Sequence, residues 1–350
     1  SWFSNDPIIA ITGSNGKTTT SHMLYNMCQS KEVKGTMAGN MGIPFSERVL
    51  NNIKDPKENI LYLLEISSFQ LEFIQHFSPD ILVYTNISPD HLDRHGSMEE
   101  YINMKLNALM NMKHEGQIVY NKDDAILEKV LSPFPHKKQP FSTKSKDVLY
   151  KIDNKNIIGP SDDKLLNIDE LSIPGEHNLQ NFLAASTCSH LMGISQNQIV
   201  KSMKEFKGVE HRLEYVRTIN EADYINDSKA TNIDSVIVAI NTYKQPIVLI
   251  LGGFNKGANF RLLLPHIKSS HVRDIVSYGD AGGQINTALG DAVRSVQVTD
   301  LSSAVKKAQL MAAPGDIVLL SPGCASYDEF SNFEERGNHF KSIIKNLAAS

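Results

Sequence analysis

A two-domain α/β fold with mostly parallel sheets is predicted by three observations on the 350-residue sequence. Short apolar runs at 8–12, 60–64, 81–84 and 117–120 are each followed by a longer stretch of helical period, the rhythm of parallel strand–helix units. The rhythm resumes with runs at 246–251, 275–278, 296–298 and 316–320. Between the two blocks, KGVEHRLEYV (207–216) reads as a short charged connection. Domains are therefore drawn at 1–209, a phosphate-loop domain with a mostly parallel sheet, and 210–350, an open Rossmann-like α/β domain. A hydrophobic content of 41% is enough for two cores.

The first strand runs straight into ITGSNGKTTT (11–20), and a helix-like SHMLYNMCQ follows. In that context the glycines let backbone N–H groups approach phosphate oxygens, and the helix start adds its positive dipole end. Lys17 supplies a point charge, and Thr18 can offer its hydroxyl to Mg²⁺. Gly13, Asn15, Gly16, Lys17, Thr18 and Thr19 are the expected nucleotide contacts. The pattern is G-x-x-G-K-T, because Ile11 stands where the general loop has its first glycine.

The third run ends in LEISSFQLE (64–72), which places Glu65 at a strand's carboxyl end, where open α/β sheets gather ligands. Glu65 reads either as a Mg²⁺ ligand or as an acid favoured near a helix start. The next strand opens into TNISPDHLDRHGSMEEYINMK (85–105), a dense polar cluster. There His91 can ligate a metal, Asp90 and Asp93 are available carboxylates, and Lys105 falls about four turns into the following helix. Residues 132–172, rich in Lys, Asp, Asn and Pro, suggest a small antiparallel excursion. A helix is expected from Asn178.

Composition excludes several classes. A net charge of -4 with interspersed signs provides no basic face for nucleic acid. Cys28, Cys188 and Cys324 are isolated and odd in number, which argues against a disulfide framework or a zinc site and fits a reducing cytoplasm. No apolar run approaches the roughly 20 residues that span a bilayer, and the N-terminus lacks signal-peptide character. No membrane partner is expected.

Taken together, T-G-S-N-G-K-T-T, E-I-S-S-F-Q-L-E and N-I-S-P-D-H-L-D-R-H with a later lysine resemble the central ATPase domain of the Mur ligases, a plan that folylpolyglutamate synthase shares. The resemblance implies an ATP-dependent ligase that activates a carboxylate as an acyl phosphate for attack by an amine. It implies that Lys17 and Thr18 bind ATP phosphates and Mg²⁺, that Glu65 and His91 hold two magnesium ions, and that Lys105 is carbamylated, an ordinary ion pair being the alternative. Asn40 in AGNMGIP matches an asparagine near the substrate carboxyl and phosphate. Asn178 and Asn181 match residues at the adenine, His211 and Arg212 match the hinge, and Asp227 matches a ribose contact. Lys229 and Thr231 match residues near the nucleotide and reacting groups.

LGGFNKGANF (251–260) and SPGCASYDEFSNFEERGNHF (321–340) resemble the D-glutamate-adding members of the family, and no D-N-P-R motif of the diaminopimelate-adding members is present. The resemblance implies UDP-N-acetylmuramoyl-L-alanine and D-glutamate as substrates, with closure about 207–216 and a monomeric chain. For the amino acid, Lys256 offers a cation and Ser326 donors, and Phe333 can wall the pocket. A solvated Lys256 and a core Phe333 are the plain alternatives. The family also carries an N-terminal UDP-binding domain, whereas here the phosphate loop starts at residue 11. Weak binding of the UDP substrate, and a silent nucleotide-binding module as another reading, are the corresponding expectations.

Overall fold

Fifteen strands in three sheets organise the described residues, 3–40, 43–90, 92–173 and 175–347 of a computed structural model, with only the backbone described at 92 and 93. The chain divides into two compact units, Ser1–Lys207 and Gly208–Ser350.

In the first unit, β1 (Ile8–Thr12), β2 (Lys34–Gly39), β3 (Ile60–Glu65), β4 (Ile81–Tyr84), β5 (Gln117–Asn121) and β6 (Lys137–Phe141) form a parallel sheet in the order β2-β3-β1-β4-β5-β6. Strands β1, β3 and β4 are buried throughout, which explains why they read as unbroken apolar runs rather than alternating ones. β1 sits mid-sheet with β3 on one side and β4 on the other, so the loops after these three strands share one edge.

The expected excursion at 132–172 is smaller than predicted. Its first part, KKQPF, is β6, paired parallel to β5 at the sheet edge. Only an edge tolerates Pro140, which has no N–H for a further partner. The antiparallel sheet begins later, as β7 (Lys151–Asp153), β8 (Asn156–Ile158) and β9 (Lys164–Asn167). The long helix expected from Asn178 spans Glu176–Leu191.

In the second unit, β10 (Glu214–Ile219), β11 (Ala222–Asn226), β12 (Ile247–Gly252), β13 (Val272–Tyr278), β14 (Arg294–Gln297) and β15 (Ile317–Gly323) take the order β10-β11-β15-β12-β13-β14. Only β10 runs antiparallel to its neighbour. Ile247, Leu249 and Leu251 pack with Ile233, Val236 and Ile240 of helix Ile233–Thr242 on one face. Val248 and Ile250 pack with Leu301, Val305 and Phe340 on the other. Successive side chains of a strand point to opposite faces, so a strand covered on both faces needs helices on both.

Candidate active site

The phosphate loop leaves β1 and turns into helix Lys17–Met27. Two glycines set its path. Gly13 has φ 143° and a Cβ there would lie 2.0 Å from Thr85 Oγ1, while Gly16 has φ 86° and a Cβ would lie 2.4 Å from Asn181 Oδ1. Neither position has room for a side chain. The loop is tied to the end of β4: Ser14 N–H donates to the Asn86 carbonyl at 2.9 Å, Asn15 N–H donates to Asn86 Oδ1 at 2.9 Å, and Thr85 Oγ1–H donates to the Asn15 carbonyl at 2.5 Å. The helix start has no capping side chain and no acid in its first turn, which leaves a positive end suited to an anion.

Two lysines converge on the Gly13 carbonyl. Lys17 Nζ donates to it at 2.8 Å and also to the Ser14 carbonyl at 2.8 Å, and Lys105 Nζ donates to it at 2.9 Å. Lys105 is 2% exposed and its Nζ lies 4.7 Å from the centre of the Tyr101 ring. Burial, then the Lys17 charge, bring its pKa down from 10.5 to about 7, against the pull of Asp90. The helix that carries it is shorter than expected. The segment splits into Leu92–His95 and Met98–Leu106 around Gly96, whose φ of 80° breaks the run, so Lys105 lies in the last turn of the second helix.

Glu65, at the end of β3, is 3% exposed. Asn40 Nδ2 donates to its Oε1 at 2.9 Å, and its Oε2 is buried with no hydrogen-bond partner among the described residues. An orphaned carboxylate oxygen beside a phosphate loop suits a cation, because a buried charge needs a partner. Thr18 and Thr19 are each 3% exposed, and Thr19 Oγ1 also has no hydrogen-bond partner among the described residues. His91 lies outside the described residues. Among those described, no group of three or more His, Cys, Asp or Glu side chains could hold a metal. Asn181 Oδ1 accepts from Thr20 Oγ1 at 3.3 Å, so this side chain buttresses the loop from helix Glu176–Leu191, and Asn178 on the same helix is 8% exposed.

In the second unit, the adjacent parallel strands β11, β15 and β12 bring their carboxyl ends to one edge. After β11, Asp227 accepts from Ser321 Oγ–H at 2.9 Å and from Leu213 N–H at 3.2 Å. Burial raises its pKa to about 7, against Ser321 and Arg212. Lys229 Nζ lies 5.7 Å from the centre of the half-buried Phe333 ring, and Thr231 is exposed. The loops after β12 and β15 are stitched by a reciprocal pair, Phe254 N–H to Ala325 O at 2.9 Å and Ala325 N–H to Phe254 O at 3.1 Å. This sets exposed Lys256, whose Nζ is 4.9 Å from the centre of the Tyr327 ring, in the loop beside the one carrying buried Ser326. His211 is 4% exposed, and its ring lies edge-on to Phe333 at 6.3 Å.

Residues 11–189 match the Mur ligase middle domain, and residues 211–324 match the Mur ligase glutamate ligase domain. The chain belongs to the Mur ligase family. It is 41% identical to the UDP-N-acetylmuramoylalanine–D-glutamate ligase of Clostridioides difficile over 98% of its length and 76% of the relative. It is 40% identical to the ligase of that name from Christiangramia forsetii, over 99% and 78%. A MurF ligase from Thermotoga maritima in complex with ADP shares the fold, with a TM-score of 0.70 and 17% identity over 98% of this chain and 81% of that one. A pseudomurein peptide ligase from Methanothermus fervidus does so with a TM-score of 0.71 and 17% identity over 98% and 79%.

Sequence reasoning missed three supports in this Mur ligase. Thr85 and Asn86 anchor the phosphate loop, and polar residues directly after an apolar strand are the signal that could have found them. Tyr101 joins Ser14 Oγ at 2.8 Å and faces Lys105. Arg336, in FEERG at the start of helix Phe333–Asn346, is 0% exposed, and nothing in its neighbours along the chain sets it apart from the charges beside it. Among the described residues no helix is long and apolar enough to cross a membrane.

Proposed function

We propose that this Mur ligase joins D-glutamate to UDP-N-acetylmuramoyl-L-alanine at the expense of ATP, a cytoplasmic step of peptidoglycan precursor synthesis. The observation that carries the reading is identity of about 40% with D-glutamate ligases over nearly the whole chain, both C-terminal loops included.

The first unit handles the nucleotide. Loop amides at Gly13 and Gly16, with Asn15, Lys17 and Thr19, cradle the phosphates, and Asn178 and Asn181 lie on the adenine side. Mg²⁺, when bound, neutralises phosphate charge. Glu65 would hold it with Thr18, and the unpartnered Oε2 supports this. A second ion would be held by His91 and a carbamylated Lys105. A carbamate forms when a neutral amine adds to CO2 and releases a proton, and a lysine brought to about 7 is substantially neutral at physiological pH. Asn40 orients Glu65 near the reacting carboxyl group.

The L-alanyl carboxylate oxygen attacks the γ-phosphorus and ADP leaves, giving an acyl phosphate. Lys17 offsets the charge on the transferring group. The D-glutamate amine then attacks the acyl carbon, phosphate departs, and the amine proton passes to solvent. In the second unit, Arg212, Asp227 and Lys229 serve the nucleotide, and Thr231, Lys256, Ser326 and Phe333 receive the amino acid. The chain is taken to work as a monomer.

The test is phosphate release from ATP and Mg²⁺ with UDP-N-acetylmuramoyl-L-alanine, with Lys17→Ala as the blank. Release that requires D-glutamate is the expected result. Equal release with L-glutamate or glycine would overturn the amino-acid assignment.

A further inference from the structure

Arg336 is a fully buried guanidinium whose hydrogen bonds among the described residues all go to neutral acceptors. Its Nε–H donates to Ser228 Oγ at 3.0 Å, and its Nη2–H to the Ser228 carbonyl at 2.8 Å. Its Nη1–H groups donate to the Cys324 and Ala325 carbonyls at 3.1 and 3.2 Å. Ser228 Oγ–H in turn donates to the Phe333 carbonyl at 2.8 Å. One side chain thus fastens the turn after β11, the loop after β15 and the first turn of helix Phe333–Asn346.

A buried cation bonded only to neutral groups is costly; the Asp227 and Glu329 carboxylates feel its charge without hydrogen-bonding to it, and a bound anion would offset it further. The bonding pattern bears on where such an anion would be received. The Ala325 carbonyl accepts from both Arg336 and the Phe254 amide, and the same peptide group carries the Ser326 N–H. Charge drawn toward the carbonyl makes that N–H a stronger donor. The Ser228 carbonyl is bound in the same way, and its peptide group carries the Lys229 N–H, which is already committed to the His211 carbonyl at 3.0 Å. Of the two, only the Ser326 N–H donates to no group among the described residues, which leaves it available to a ligand.

We propose that Arg336 is a positioning residue for the acidic amino acid: without touching it, the guanidinium polarises the Ala325–Ser326 peptide so that the Ser326 N–H receives a substrate carboxylate. The inference rests on the D-glutamate reading above, and it adds a buried source of positive potential to a site whose lysine, Lys256, is exposed.

The experiment compares the full chain with Arg336→Met and Arg336→Lys. It follows the Ser326 amide by ¹⁵N-resolved NMR during a D-glutamate titration, alongside KM for D-glutamate and for ATP. The expected result is an upfield Ser326 amide proton in ligand-free Arg336→Met. D-glutamate KM should rise by about tenfold or more with ATP KM within about twofold, and Arg336→Lys should fall in between. If Arg336→Met does not fold, Arg336→Ala with added guanidinium replaces it, and recovery of the downfield amide and low KM supports the proposal. An unmoved Ser326 amide, or D-glutamate and ATP KM rising together, would overturn it and leave Arg336 a plain structural staple. If the unsubstituted chain neither binds nor uses D-glutamate, the functional reading fails instead, and the ligand-free amide shift still decides whether Arg336 polarises the peptide.

Discussion

The two units build their sites in opposite ways. In the first, the phosphate loop is one contiguous run, 13–19, shaped by two positive-φ glycines and the start of a helix, tied to the neighbouring strand end, and joined by single groups such as Glu65 and Lys105 from other elements. In the second, the candidate groups come from three distant stretches that only the strand order β11-β15-β12 places side by side. A charge fastens each site, but differently. Lys17 and Lys105 share the Gly13 carbonyl inside the phosphate loop, whereas Arg336 holds together the turn at Ser228, 108 positions before it, and the loop at Cys324 and Ala325. A contiguous site therefore fails by losing one group, and an assembled one by losing its alignment.

This contrast predicts the largest effects in the first unit. Glu65→Gln keeps the size and the Asn40 contact but removes the charge on the orphaned oxygen, so phosphate release should fall by about 10²–10³-fold and need more Mg²⁺. A magnesium titration checks this, and an unchanged Mg²⁺ requirement would separate Glu65 from the cation. Lys105 comes next. With its pKa near 7, activity should fall about tenfold per pH unit below that value, because protonation restores the ammonium and blocks carbamate formation. Added bicarbonate should raise activity near pH 7, and a flat pH–rate profile between pH 5.5 and 8 would remove the carbamate from the scheme.

The second unit should respond more mildly. Lys256 is exposed, so Lys256→Ala should raise the D-glutamate KM by about 5–20-fold, leave that for ATP in place, and lose part of its effect at high salt. Steady-state kinetics at two ionic strengths tests this. The smallest effect concerns stability. The folded Asp227 carboxyl is raised from 3.8 to about 7, so its contribution is fully present below the unfolded value and lost as pH rises through the folded one. Asp227→Asn removes that loss. Its Tm advantage over the parent chain should widen by several degrees between pH 4 and pH 8, and a constant gap would show that burial of the charge is not the cause.

Legibility followed the same division. The phosphate loop could be read from type and spacing alone, because a glycine-lined turn between a buried strand and a helix has few uses other than holding an anion. Glu65 and Lys105 could be named as candidates, yet nothing in their neighbours along the chain shows that one has an unpartnered carboxylate oxygen and that burial lowers the pKa of the other. The misjudged helix before Lys105 turned on one left-handed glycine, Gly96, and the oversized excursion turned on Pro140, which an edge strand accepts. In the second unit Lys256, Ser326 and Phe333 were reached through resemblance, and Arg336 was not reached at all.

What the sequence determined by itself is therefore the local chemistry: fold class, the alternation of strands and helices, and a nucleotide loop, each set by side-chain periodicity and backbone freedom over about ten residues. Tertiary structure alone decided which carboxyl ends are neighbours, which charges lose their water, and which buried cation is left to polarise a peptide. Those properties come from desolvation and from contacts across long loops, and neither leaves a pattern in consecutive residues.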